Sequence, residues 1–167
     1  MAACIQLSAL RAPGRGIAAN HLAHRQPRFA GFTFQAALHT YLRVADADQT
    51  HIEGLQGAAY RDRRADGHPG VQHPALLGLA GGLDRIYPGA PRRLLLVEPA
   101  ATVEVCAEGF PDLVVWNPGP LRAAAIADLE PEGQRRMVCI EAAAVVQAVR
   151  LSPSQSWSGC QRLTLLA

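Results

Sequence analysis

The feature that most constrains this chain is the period of Phe32–Val44, FTFQAALHTYLRV. At alternate positions Phe32, Phe34, Ala36, Leu38, Thr40, Leu42 and Val44 fall on one side, and Thr33, Gln35, Ala37, His39, Tyr41 and Arg43 on the other. A repeat of two is the signature of a strand with one buried and one wet face. The wet face carries a row of hydrogen-bonding groups with an imidazole in its middle, the composition of a sheet surface that faces a ligand. His39 is therefore a candidate for chemistry, with a satisfied structural histidine as the plain alternative.

Further along, many short extended pieces recur. His51–Leu55, Arg93–Val97, Ala101–Ala107, Leu113–Trp116, Met137–Ala143, Val145–Leu151 and Arg162–Leu166 all read as strands, and such a series predicts an all-β sandwich or barrel. Arg93–Val97 and Ala101–Ala107 read as a hairpin with one wet face. Tyr60–Val71 is polar and rich in Arg, Asp, Gly and Pro, which reads as an exposed loop. One short helix is expected at Leu121–Leu129, where Ala-rich LRAAAIADL meets Pro131.

Residues 1–30 differ from the rest. They contain no acidic residue and show neither a helical nor a strand period, so they read as a segment outside the packed domain, which would span residues 31–167. The formal charge of +2 comes from here, because four arginines precede Gly31 and the remainder sets 12 Arg against 14 Asp and Glu. A mildly acidic body excludes a nucleic-acid partner. No apolar run approaches the roughly 18 residues of a membrane span. The four cysteines are dispersed and form no C-x-x-C pair, which points to a reducing, cytoplasmic compartment. Cys106 and Cys139 sit in apolar runs and read as small hydrophobes.

Glu141 is the second candidate. A carboxylate inside MVCIEAAAV is costly unless paired or placed in a cleft, so it marks either a site or a structural ion pair. His21 and His24 form an H-x-x-H pair, but the segment is a poor helix without a third ligand, so no metal site is expected. No phosphate loop, G-x-S-x-G or zinc-protease motif is present.

Taken together, ALHTYLRV (37–44), EGLQGAAYRD (53–62), LDRIY (83–87), LVVWNPG (113–119), MVCIEAAAV (137–145) and LSPSQSWSGCQRL (151–163) resemble, in order and spacing, the C-terminal half of the aldose 1-epimerase superfamily, in its glucose-6-phosphate 1-epimerase branch. The resemblance implies an antiparallel β-sandwich of the galactose-mutarotase type and a hexose 6-phosphate substrate. It also implies His39 as the acid, Glu141 as the base and Asp84 as a sugar-contacting carboxylate. A surface Asp beside Arg85 is the plain reading of that last position. Gln35, on the face of His39, is a further substrate-binding candidate, and no cofactor is implied.

The family's phosphate-gripping segments, of Arg-Gly-Gly…Pro and HGFAR type, do not appear. The expectation is a C-terminal part of the domain, preceded by residues from a shifted reading frame or misplaced start. Uncovered strand edges would favour self-association. The competing expectation for function is a non-catalytic carbohydrate-binding remnant.

Overall fold

The computed structural model describes residues 6–12, 17–25 and 31–166. Strands β1 (Gln6–Ala12) and β2 (Ile17–Arg25) form a hairpin, and β3 (Phe32–Leu38) and β4 (Tyr41–Arg43) divide the alternating segment. Then follow β5 (His51–Glu53), β6 (Ala59–Asp62), β7 (His68–Val71), β8 (Leu76–Gly78) and β9 (Leu83–Pro88). The chain continues through β10 (Arg93–Val97), β11 (Thr102–Glu108) and β12 (Asp112–Asn117) to a helix α1 (Gly119–Ala123). Two long strands, β13 (Met137–Leu151) and β14 (Ser156–Leu166), complete it.

The strands form two antiparallel sheets. One runs β1-β2-β14-β11-β10-β5-β8, and the other β3-β13-β12-β9-β6-β7, with β4 also on β13. Their inner faces enclose the core: Ile52, Leu94, Leu96 and Val105 from the first sheet meet Tyr87, Leu113, Val115, Val138 and Ile140 from the second. Each such side chain taken from water contributes about 1.5–3 kcal/mol. This is the sandwich the strand pattern predicts. Among the described residues no helix is long and apolar enough to cross a membrane, and Cys106 and Cys139 are free thiols.

Several elements differ from the sequence reading. Residues 1–30 carry no side-chain period, yet β2 pairs along β14 from Arg25–Ser156 to Ile17–Thr164. The backbone groups of β14 form a template that needs no apolar alternation in the strand it accepts. The side chains of His21 and His24 lie outside the described residues. Tyr60–Val71, expected as a loop, contains the hairpin β6–β7, which β9 anchors through Arg61–Ile86 and Asp62–Arg85. The helix is shorter and earlier than Leu121–Leu129. Five residues cannot propagate without a surface to pack on, and Leu121 is 90% exposed. Met137–Leu151 is one strand rather than two, interrupted by a bulge between Ala144 and Val149.

Candidate active site

The alternation at Phe32–Val44 holds through the break between β3 and β4. Leu38 and Val44 are buried, whereas Gln35, His39, Tyr41 and Arg43 are exposed. At the break the Thr40 amide turns back to the Leu38 carbonyl, 2.8 Å, and the Ile140 amide donates to the Thr40 carbonyl, 3.3 Å. The register is continuous across it, because Leu38 faces Ala142 and Tyr41 faces Cys139. His39 consequently stands opposite Glu141. Gln161, from β14 and fully buried, holds this junction from the core side: its Nε2 donates to the Ile140 carbonyl, 2.8 Å, and its Oε1 accepts from the Thr40 hydroxyl.

On the outer face of the second sheet, Glu141 lies beside Val114, which lies beside Ile86, while Cys139, Trp116 and Asp84 form the next row. These rows converge on a cleft of about 290 Å³ lined by His39, Arg63, Asp84, Ile86, Val114, Trp116, Glu141 and Val145. Three larger hollows, beside Gly82 and Gly119, beside Glu53 and Gln56, and beside Asp46 and Arg136, bring no histidine together with a carboxylate.

His39 Nδ1 is 3.4 Å from Glu141 Oε1, longer than an ordinary hydrogen bond, so both groups keep capacity for a substrate. The imidazole stacks on Tyr41, with centroids 4.8 Å apart and planes at 8°, and meets Trp116 edge-on at 5.8 Å. Burial, then the neighbouring Asp84, pushes the Glu141 carboxyl up to about 7, against an opposing pull from Arg63. A carboxylate disfavoured by desolvation and a like charge is a stronger base than a solvated one.

Asp84 is buried, which overturns its plain reading as a surface residue beside Arg85. Arg85 belongs to the other face, where it bonds Gln72 and Asp62 and lies over Tyr60. Arg122 donates to Asp84 Oδ2 at 3.3 Å, and Arg63 lies 3.9 Å from Oδ1, a buried oxygen without a hydrogen bond. That oxygen is a ready acceptor for a hydroxyl in the cleft. Asn117 sets the loop that delivers Arg122. Its Nδ2 donates to the Gln134 and Met137 carbonyls, and its Oδ1 accepts from the Gly119 amide. The loop can cross so closely because Gly82 and Gly119 both have positive φ, and a Cβ on Gly82 would stand 2.5 Å from the Gly119 nitrogen.

The structure thus brings His39, Glu141 and Asp84 into one cleft. Gln35 does not line it. The β13 bulge lies opposite Gln35, and its Nε2 is committed to the Val145 carbonyl at 2.6 Å. Sequence reasoning missed Arg63, Trp116 and Arg122. Val114 and Trp116 could have been found from their shared parity in LVVWN, but Arg63 sits in a polar stretch whose position depends on β9. Cys139, read as filler, is buried, yet its sulfur lies within 4.8 Å of ligand atoms of both His39 and Glu141. Cys106, read the same way, is only half-buried, on the wet face of β11 beside Glu104.

Comparison with known proteins gives, among others, four matches. The aldose 1-epimerase family matches residues 24–164. A Cenchrus ciliaris protein named "Putative glucose-6-phosphate 1-epimerase" is 32% identical over 130 residues, covering 77% of this chain and 40% of that protein. Among solved structures, a Salmonella typhimurium protein described as a "putative mutarotase" superposes with a TM-score of 0.81 at 21% identity, over 89% of this chain and 50% of that one. A galactose mutarotase related enzyme from Lactobacillus acidophilus gives 0.72 at 10% identity, over 98% and 61%. The last two show the fold. The chain spans less than half the length of the curated relatives it matches.

Proposed function

Because the chain belongs to the aldose 1-epimerase family, we propose that its cleft interconverts the α and β anomers of a hexose 6-phosphate, glucose 6-phosphate in the first instance. The observation that carries this reading is the His39–Glu141 pair at 3.4 Å, with Asp84 in the same cleft. The substrate class follows the relatives' name. The exposed guanidiniums of Arg63 and Arg122 at the rim are compatible with an anionic sugar.

Ring opening needs a base at the C1 hydroxyl and an acid at the ring oxygen. Glu141, ionised, takes the hydroxyl proton; the C1–O5 bond breaks as the carbonyl forms, and protonated His39 delivers its proton to O5. After rotation about C1–C2 the C5 hydroxyl attacks the other face of the aldehyde. His39 then recovers its proton and Glu141 returns the one it took, so the pair ends as it began. Asp84 Oδ1 accepts a sugar hydroxyl and fixes the ring.

The test is a mutarotation assay on freshly dissolved α-glucose 6-phosphate, coupled to a dehydrogenase specific for the β anomer. Acceleration over buffer that Glu141→Gln abolishes supports the proposal. A second reading, a carbohydrate-binding sandwich without catalysis, is favoured by the openness of the site, since the His39 side chain is 51% exposed. Sugar binding without acceleration by the parent chain would select it.

A further inference from the structure

Cys139 is a buried thiol that the proposed ring opening does not use, although it stands next to both groups that act. Residues 139 and 141 share one face of β13, and His39 faces Glu141 across the β3–β4 break. As a result a ring nitrogen of His39, Sγ of Cys139 and a carboxylate oxygen of Glu141 all lie within 4.8 Å of one another. These are three donors of the kinds that zinc takes. Tetrahedral zinc bonds of about 2.05 Å to nitrogen and about 2.1 Å to oxygen hold those atoms about 3.4 Å apart. The separation of His39 Nδ1 and Glu141 Oε1 is 3.4 Å. Sulfur at about 2.3 Å from the metal would stand about 3.6 Å from each partner, so the thiol has to close by little more than a side-chain adjustment.

We propose that His39, Cys139 and Glu141 form a binding site for a thiophilic divalent cation such as zinc or cadmium, with the fourth position open to the cleft. On binding, the sulfur–metal bond forms as the Cys139 thiol releases its proton to solvent, because a coordinating thiol is deprotonated outright; no electron is transferred. The metal occupies the imidazole lone pair and the carboxylate together, so it competes with the sugar and inhibits. That consequence rests on the acid and base roles proposed above; the binding itself does not.

Binding is read by titrating the full chain with cobalt(II) in a non-chelating buffer. The signals are thiolate-to-cobalt charge transfer in the near ultraviolet and tetrahedral ligand-field bands in the visible. One equivalent is expected to produce both. They should persist when Cys4, Cys106 and Cys160 are all replaced by Ser, and vanish in Cys139→Ser. His39→Ala, at an exposed position that spares the core, should weaken cobalt at least tenfold, and it decides the matter even if Cys139→Ser fails to fold. Charge transfer that survives Cys139→Ser, its absence in the parent, or unchanged affinity in His39→Ala would each overturn the site. Cobalt binding as described, with zinc leaving an active mutarotation unaffected, would instead overturn the inhibitory consequence.

Discussion

Glu141 is a residue whose function and stability pull in opposite directions. Between the carboxyl's ordinary 4.5 and its folded value of about 7, the native state holds a proton that the unfolded chain releases. Stability from this group is therefore complete below about 4.5 and is lost as pH rises through 7. The difference corresponds to about 3 kcal/mol at pH 8. Replacing Glu141 by Gln is expected to abolish about 10²–10⁴-fold of rate while raising stability at pH 8. Denaturation of the two proteins at pH 8 and pH 5 checks the sign: the advantage of the Gln variant must shrink toward pH 5. In metal-free buffer the parent's rate should fall as pH drops below about 7, where Glu141 takes up a proton and can no longer act as the base. These two residues were legible because each breaks an apolar run: His39 by parity, Glu141 by cost. Cys139 was not, since a thiol in VCIE looks identical whether or not an imidazole lies across the strand.

At the scale of the element, the site depends on β13 being bent. Between Ala144 and Val149 the strand bulges, and Asp112 Oδ2 accepts from the amides of Val145, Val146 and Gln147 at 2.8, 2.6 and 3.1 Å. This carboxylate substitutes for the ladder bonds that the bulge forgoes. Asp112→Ala is expected to cost about 2–3 kcal/mol, with faster hydrogen exchange at the amides of 145–147. Asp112→Asn, which retains an acceptor, should cost less. The opposite face makes a parallel case. Gln161→Leu removes the clamp on Thr40 and Ile140, so kcat should fall with little change in KM, because the pair beyond it loses its register while the rim stays intact. Sequence alone reads β13 as two pieces divided at Ala144, since an apolar run does not show where a strand bulges. Only the pairing with β3 shows one strand, in which residues 145–148 stand opposite the single residue Gln35. The helix expected at 121–129 ends at Ala123 for the converse reason, an Ala-rich composition with no face to bury.

For the whole molecule, the two-layer sandwich was readable from strand count and alternation, whereas the order of strands was not, because β14 lies between β2 and β11 and β13 between β3 and β12. That order leaves β3 at the end of its sheet, paired with β13 alone among the described residues. Edge strands with apolar side chains are templates for another chain. Phe32 on β3 is 39% exposed, and Leu165 and Leu166 at the end of β14 are 50% and 36% exposed. Concentration-dependent self-association is therefore expected, measured by size exclusion with light scattering. Thr33 is exposed on β3 and its side chain supports no core contact. A Thr33→Lys substitution places a charge on the edge without touching the cleft, so it should shift the population toward monomer at unchanged unfolding midpoint. A parent chain that is monomeric over the whole concentration range, or a Thr33→Lys variant that associates as strongly as the parent, would show that this edge is not the contact.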